Sequence, residues 1–236
     1  MILDERLNLG LDHQMNDVSE MLKSPGLWEG QLLHFTSLFA LVLVVAFAWN
    51  ELGNPHLAAF WIAVAFPVLH QVWVWLAWRN ELKASAISNS IGFTGYLVIF
   101  FILFGGRFLS LIWLALLDRG SMGLSPSLAA LLTLLLFLPG LYAMYSVRRY
   151  FGMSRAAGGD HFDQSFRDMP NVKEGIFRFT NNGMYLYAFL LLWAIAVGFG
   201  STAALVVAAF SHAYIWVHFY ATEKPDMAYL YGSGNP

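Results

Sequence analysis

A chain of 236 residues that is 58% hydrophobic and 17% aromatic but only 12% charged is far more apolar than a soluble domain, and this composition reads as an integral membrane protein. A net charge of -2 and the lack of a basic patch interleaved with aromatics exclude a nucleic-acid partner. With no cysteine, disulfides, thiolate nucleophiles and thiolate metal sites are all removed from consideration.

The first 31 residues are mixed and acidic, with Asp4, Glu5, Asp12, Asp17 and Glu20. They lack the basic start, apolar core and small-residue cleavage site of a signal peptide, so a cytoplasmic or interfacial N-terminal segment is expected. Four stretches then approach the roughly 20 apolar residues a helix needs to cross a bilayer: about 32–49, 57–78, 91–117 and 127–147. The third is overlong and carries Gly105, Gly106 and Arg107 toward its far end, which predicts a bend or an end there, with Arg107 snorkelling to the interface. After a polar interval, apolar sequence runs from Met184 to Tyr220, broken by Gly198–Thr202, "GFGST". That length predicts two helices joined by a tight glycine turn, the first of them short and needing protein neighbours. The expected fold is therefore an all-α membrane protein of about six spans, with five plus a C-terminal helical hairpin as the alternative.

Of the 13 Lys and Arg, six lie between Arg148 and Arg178, and none lies in the loop "ELGNPH". The positive-inside rule puts the first side in the cytoplasm, and six spans place both termini there as well. The molecule reads as one domain, 1–236, with residues 1–31 cytoplasmic or interfacial, 32–147 a four-helix part, 148–182 a cytoplasmic loop, and 183–236 a C-terminal catalytic hairpin and tail.

Polar residues within or beside the spans carry the chemistry. In the second span His70 and Gln71 stand at depth, where interior packing and a cavity are both open readings, packing slightly ahead; an aromatic belt accounts for Trp78 and Arg79. Arg148 and Arg149 close the fourth span as positive-inside anchors. The sequence "DHFD", Asp160 to Asp163, offers nitrogen and oxygen donors, but one histidine with two acids is too sparse for a metal site, and no metal is expected. In the last span His212 and Glu223 are 11 residues apart, hence nearly eclipsed on a straight helix and able to line one cleft. A histidine inside a span is costly without a partner or water, which favours a site role for His212 or His218. Pro225 is expected to end this helix near Glu223, leaving Lys224 and Asp226 in a solvated turn.

The stretch "FRFTNNGMYLY", the hairpin after it and the closing "TEKPDMAYLYG" together resemble the C-terminal core of the membrane-embedded methyltransferases. These are the phospholipid (phosphatidylethanolamine) N-methyltransferases and the isoprenylcysteine carboxyl methyltransferases. In that superfamily a Pro-x-Tyr element opens a hairpin that ends in an acidic pair followed by an aromatic-Gly; here Gly183-Met184-Tyr185, Glu223-Lys224 and Tyr231-Gly232 stand in those places. Gly183 replaces the proline and Lys224 the second glutamate. The likeness is specific over about the last 60 residues and implies an S-adenosylmethionine site on the cytoplasmic side, opening sideways to lipid.

On that resemblance the cofactor-binding residues are Arg178, Asn181, Asn182, Gly183, Tyr185, His218, Glu223 and Lys224, with the amides capping a helix start and offering donors and acceptors. His218 and Glu223 are the candidates to take a proton from the substrate amine, with His212 deeper. Arg148, Arg149, His161 and His70 are expected toward the lipid substrate. The implied reaction is methylation of phosphatidylethanolamine or its mono- and dimethylated forms, in a bacterial inner membrane or an endomembrane. The alternatives are methylation of an isoprenylcysteine-like or other lipophilic acceptor, an NADPH-dependent sterol or enone reductase, and a non-enzymatic scaffold or transporter. Oligomeric state is not legible.

Overall fold

A computed structural model describes residues 24–232, all helix and connection, without a strand among the described residues. Helices α1 (Gln31–Glu51), α2 (Leu57–Ala84), α3 (Gly92–Leu117) and α4 (Pro126–Ser146) run back and forth. A π-turn, Val147–Phe151, prolongs α4 into the polar interval, which is built of single turns. A second π-turn, Met184–Ala188, leads into α5 (Leu190–Phe199); α6 (Thr202–His218) returns, passes through a third π-turn, Phe219–Glu223, and continues as α7 (Lys224–Tyr231).

Among the described residues, five helical segments are long and apolar enough to cross a membrane, and Met184–Phe199 is a shorter apolar one. This is the six-segment pattern expected, including the short fifth member. The turn between α5 and α6 is made by Gly200 at φ 62° and by Ser201, whose hydroxyl accepts from the Ala204 amide. Asp118, at the end of α3, accepts from the Ser201 hydroxyl at 2.7 Å and the Ala203 amide at 2.9 Å. These bonds satisfy the free amides at the start of α6 and pin two connections together at the same end. The polar interval, the end of α2 and α7 gather at the opposite end.

Large apolar side chains point outward, among them Leu32, Phe47 and Leu109, as expected where the solvent is lipid. The interior core joins α1, α2, α3, α5 and α6, with Phe60, Leu111, Leu114, Leu192 and Tyr214 buried beside Ala196, Ala203, Ala204 and Ala208. Small residues let α6 approach its neighbours closely, the usual means of packing helices in a bilayer.

Three local expectations are corrected. Helix α3 continues unbroken through Gly105–Arg107, and Arg107 is 3% exposed, turned inward toward His70 instead of snorkelling. Pro225 does not end the last helix, because it occupies the first turn of α7, where its missing amide hydrogen costs no bond. The expected N-terminal segment 1–31 lies largely outside the described residues; of its end, Gln31 is buried, its side-chain amide donating to the Thr222 hydroxyl at 3.2 Å.

Candidate active site

A cavity opens between α2, α3, the end of α4, the Met184–Ala188 turn and α6. Phe100, Phe101 and Phe104 of α3 form an aromatic wall. At the loop end stand Trp78, Tyr185 and Glu223; deeper along α2 and α3 stand His70, Gln71 and Arg107; His218 lines the cavity from α6.

The Tyr185 hydroxyl donates to Glu223 Oε2 in a short hydrogen bond, which joins the two ends of the hairpin across 38 residues of sequence. His218 is 2% exposed and both its ring nitrogens lack a hydrogen-bond partner. His70 Nε2, Gln71 Nε2 and Arg107 Nε are unpartnered as well. Buried polar atoms are nearly always paired, so a concentration of unpaired ones around one cavity marks a place where a ligand completes the bonding.

Behind Trp78 lies a polar network outside the cavity lining. Arg79 Nε meets Asp226 Oδ1 at 2.8 Å with both side chains at 0% exposure. Asp226 Oδ2 faces His161 Nε2 at 3.3 Å, and His161 Nδ1 faces Asp160 Oδ1 at 3.3 Å. The Tyr231 hydroxyl donates to Asp160 at 3.0 Å. The His161 ring stacks on Trp78 at 3.9 Å between centroids, and Trp78 Nε1 donates to the Tyr96 hydroxyl at 2.8 Å. This chain of contacts ties α2, the polar interval and α7 together and fixes one wall of the cavity. Gly158, at φ +87°, carries the backbone so close to the Trp78 indole that a Cβ there would collide with the ring.

Burial works against a charged His161, but the hydrogen bonds and charges of Asp160 and Asp226 outweigh it and hold its pKa above the ordinary 6.5. Burial likewise opposes ionisation of Asp160, yet His161 and the Tyr231 hydroxyl keep its pKa below 3.8. The imidazolium's contribution to stability is thus complete below pH 6.5 and is lost as pH rises through the raised value. Asp160 contributes above its ordinary range and loses that contribution in acid. The unfolding temperature is therefore expected to fall between pH 7 and 9, and a His161→Gln variant to show a flatter slope over that interval in a thermal-shift series. An equal slope in both would remove His161 from the network's energetics.

The remaining predicted positions divide. Of the cofactor set, Tyr185, His218 and Glu223 line the cavity. Arg178, Asn181 and Lys224 are exposed, and the side chains of Asn181 and Asn182 make no hydrogen bond among the described residues. The amides do not cap the helix start: Gly183 is the N-cap, without a side-chain bond. Of the substrate set, His70 lines the cavity, Arg148 and Arg149 are exposed, and His161 is buried in the network. His212 is separate from the cavity, accepting from Trp193 Nε1 at 3.1 Å and stacked on Phe189. The π-turn explains the separation from Glu223: one extra residue per turn rotates everything beyond it by about 100° relative to a straight α-helix. Trp78 and Arg79 are buried, not interfacial, and Asp226 is fully buried, not solvated.

Gly183 has φ -55°, a value proline also adopts, so the backbone keeps the conformation expected at that place. A Cβ at Gly183 would stand 2.8 Å from Ile176 Cγ2. Gly183→Ala is thus expected to lower the unfolding temperature and weaken ligand binding, and Ile176→Ala in the same chain to restore both. Failure of the second change to rescue would refute the packing explanation.

Taken together, the fold and cavity define a helical membrane protein with an aromatic-walled cavity formed where a C-terminal hairpin meets two earlier helices. Residues 128–234 match the family model described as phospholipid methyltransferase. Over that part the chain is similar to this family. Comparison with curated proteins and with solved structures gives no match.

Proposed function

We propose that the protein uses S-adenosylmethionine to methylate the amine of phosphatidylethanolamine or of its mono- and dimethylated forms, at the cytoplasmic face of a membrane. The observation that carries this reading is the cavity's equipment. It has a carboxylate held by a tyrosine at its loop end, an aromatic wall, and an unpartnered buried histidine between them. These groups fit the donor: Glu223 suits an ammonium or ribose hydroxyls, and the Phe100, Phe101 and Phe104 rings suit a sulfonium by cation-π attraction. When bound, S-adenosylmethionine supplies an electrophilic methyl group.

The chain's own task is to orient the amine and to remove one proton. With an ammonium pKa near that of lysine, roughly 10.4, only about one amine in ~10³ is neutral at pH 7, a cost of roughly 4 to 5 kcal/mol. His218, with both ring nitrogens unpaired and facing the cavity, is the group assigned to accept that proton. Tyr185 holds Glu223 in place. Trp78, fixed by Tyr96 and His161, shapes the wall and excludes water. Arg148, Arg149 and Arg178 remain surface charges on the side assigned to the cytoplasm.

The deciding experiment is incubation of the purified protein with labelled S-adenosylmethionine and a panel of lipids containing phosphatidylethanolamine, its methylated forms and prenylated thiol acceptors. Mass analysis should find a gain of methyl groups on the ethanolamine nitrogen. Stabilisation by NADPH, with none by S-adenosylhomocysteine and no methylated lipid, would replace this reading by a reductase.

A further inference from the structure

Arg107 is a buried guanidinium for which the proposed methyl transfer has so far given no use. It lies 16th in the 26-residue α3, about 23 Å along the helix from Gly92 at the usual 1.5 Å per residue. Ten further residues, about 15 Å of helix, separate it from Leu117 at the other end. Its side chain is 3% exposed and lines the cavity. An arginine stays protonated in a protein, and a buried cation is normally matched by an acid. Among the described residues no carboxylate pairs with it: the ion pairs there involve only Arg79, Asp160, His161 and Asp226.

The neighbours of Arg107 fix its direction without neutralising it. Its Nη2 lies 3.1 Å from His70 Nδ1, and its guanidinium carbon lies 5.4 Å over the Phe189 ring. Nε has no partner, nor do His70 Nε2 and the Gln71 side-chain nitrogen on the adjacent positions of α2. All three side chains line the same cavity as Glu223. A cation, an imidazole and an amide donor converge there, each with an open hydrogen-bonding atom. Such a set complements an oxyanion, which accepts from several donors and supplies the missing charge.

We propose that Arg107, His70 and Gln71 form an anion subsite in the depth of the cavity, occupied by a carboxylate or phosphate of a ligand that enters it. The subsite lies in the part of the chain before residue 128, outside the region that matches the methyltransferase family. Two ligands of the proposed reaction carry such a group: the methyl donor, through its amino-acid carboxylate, and the acceptor lipid, through its phosphodiester. This assignment of ligands rests on the methyl-transfer reading; the anion chemistry of the subsite does not.

The test measures binding to the purified full-length protein in neutral detergent by thermal shift and equilibrium dialysis. The probes are dodecyl phosphate, S-adenosylhomocysteine and methylthioadenosine, which lacks the carboxylate. Arg107→Gln is the first variant; Arg107→Met, an apolar side chain of similar length, covers the case in which the first does not fold. A loss of about tenfold or more in dodecyl phosphate affinity, with the nucleoside probes unchanged, supports a phosphate in the subsite. A similar loss for S-adenosylhomocysteine but not for methylthioadenosine supports the donor's carboxylate. Retention of every affinity within twofold in a folded variant overturns the proposal, as does wild-type protein that binds neither dodecyl phosphate nor S-adenosylhomocysteine. If wild-type protein binds dodecyl phosphate through Arg107 but no nucleoside probe, the subsite stands and the methyl-transfer reading falls.

Discussion

A His218→Ala variant is expected to turn over phosphatidylethanolamine about 10²- to 10⁴-fold more slowly than the parent at pH 7, the range ascribed to a positioned proton acceptor. The same variant is expected to bind S-adenosylhomocysteine within about threefold of the parent. His218 sits in the cavity at 2% exposure with no hydrogen bond to lose on either nitrogen, so its removal should leave the neighbouring hydrogen bonds intact. The pH profile separates a base from a spacer. Each unit of rising pH increases the neutral fraction of the amine about tenfold until roughly 10.4, so the variant's rate should climb steeply toward pH 9 and close on the parent. His218→Gln, which keeps hydrogen-bonding capacity without accepting a proton, should share the defect. Full turnover by His218→Ala at pH 7 would take the role of base away from this residue.

The second large effect concerns stability. Asp226→Asn should lower the unfolding temperature by roughly 10 °C, because stranding one member of a buried ion pair costs about 3 to 5 kcal/mol, and each kcal/mol shifts a chain of this size by roughly 2 to 4 °C. Arg79 would then be left fully buried opposite a neutral amide, still donating to the Gly26 carbonyl at 2.7 Å. The double variant Arg79→Met/Asp226→Leu should recover most of the loss, since two apolar groups of similar size leave no stranded charge. Because Asp226 also meets His161, which stacks on Trp78, the single variant should weaken ligand binding as well. A shift of less than 1 °C in Asp226→Asn, measured in the same detergent as the parent, would show that α7 is held by something other than this pair.

Gly183 shows how a departure from a family pattern is accommodated. The backbone angle a proline would impose is present without the ring, and the missing side chain leaves room for Ile176, which packs against the α4 extension with Ala143, Val147 and Phe177. The polar interval is thus anchored by apolar contact as well as by the buried ion network. Lys224, in place of a second glutamate, is exposed and lies 5.8 Å over the Tyr220 ring, so Glu223 is the carboxylate that lines the cavity from that dipeptide.

The segments of the bundle were legible from hydropathy, because in a bilayer each span must satisfy its backbone internally and is therefore read one helix at a time. The likeness at Asn181–Tyr185 and Glu223–Gly232 was legible as well, since both ends of the hairpin carry short polar signals set against apolar sequence. Direction of individual side chains was not. Arg79, Arg107 and Asp226 looked like ordinary interface charges, since a charge's burial depends on partners that other segments contribute: Asp226 for Arg79, and His70 for Arg107. His212 and Glu223 share one face of a straight helix, but the π-turn at Phe219–Glu223 rotates that face. Composition, span number and the family-like hairpin were thus determined by the sequence alone. Which histidine faces the cavity, which arginine is paired and which is left open were decided only by tertiary structure, because those properties belong to pairs of helices brought together by packing and not to any one of them.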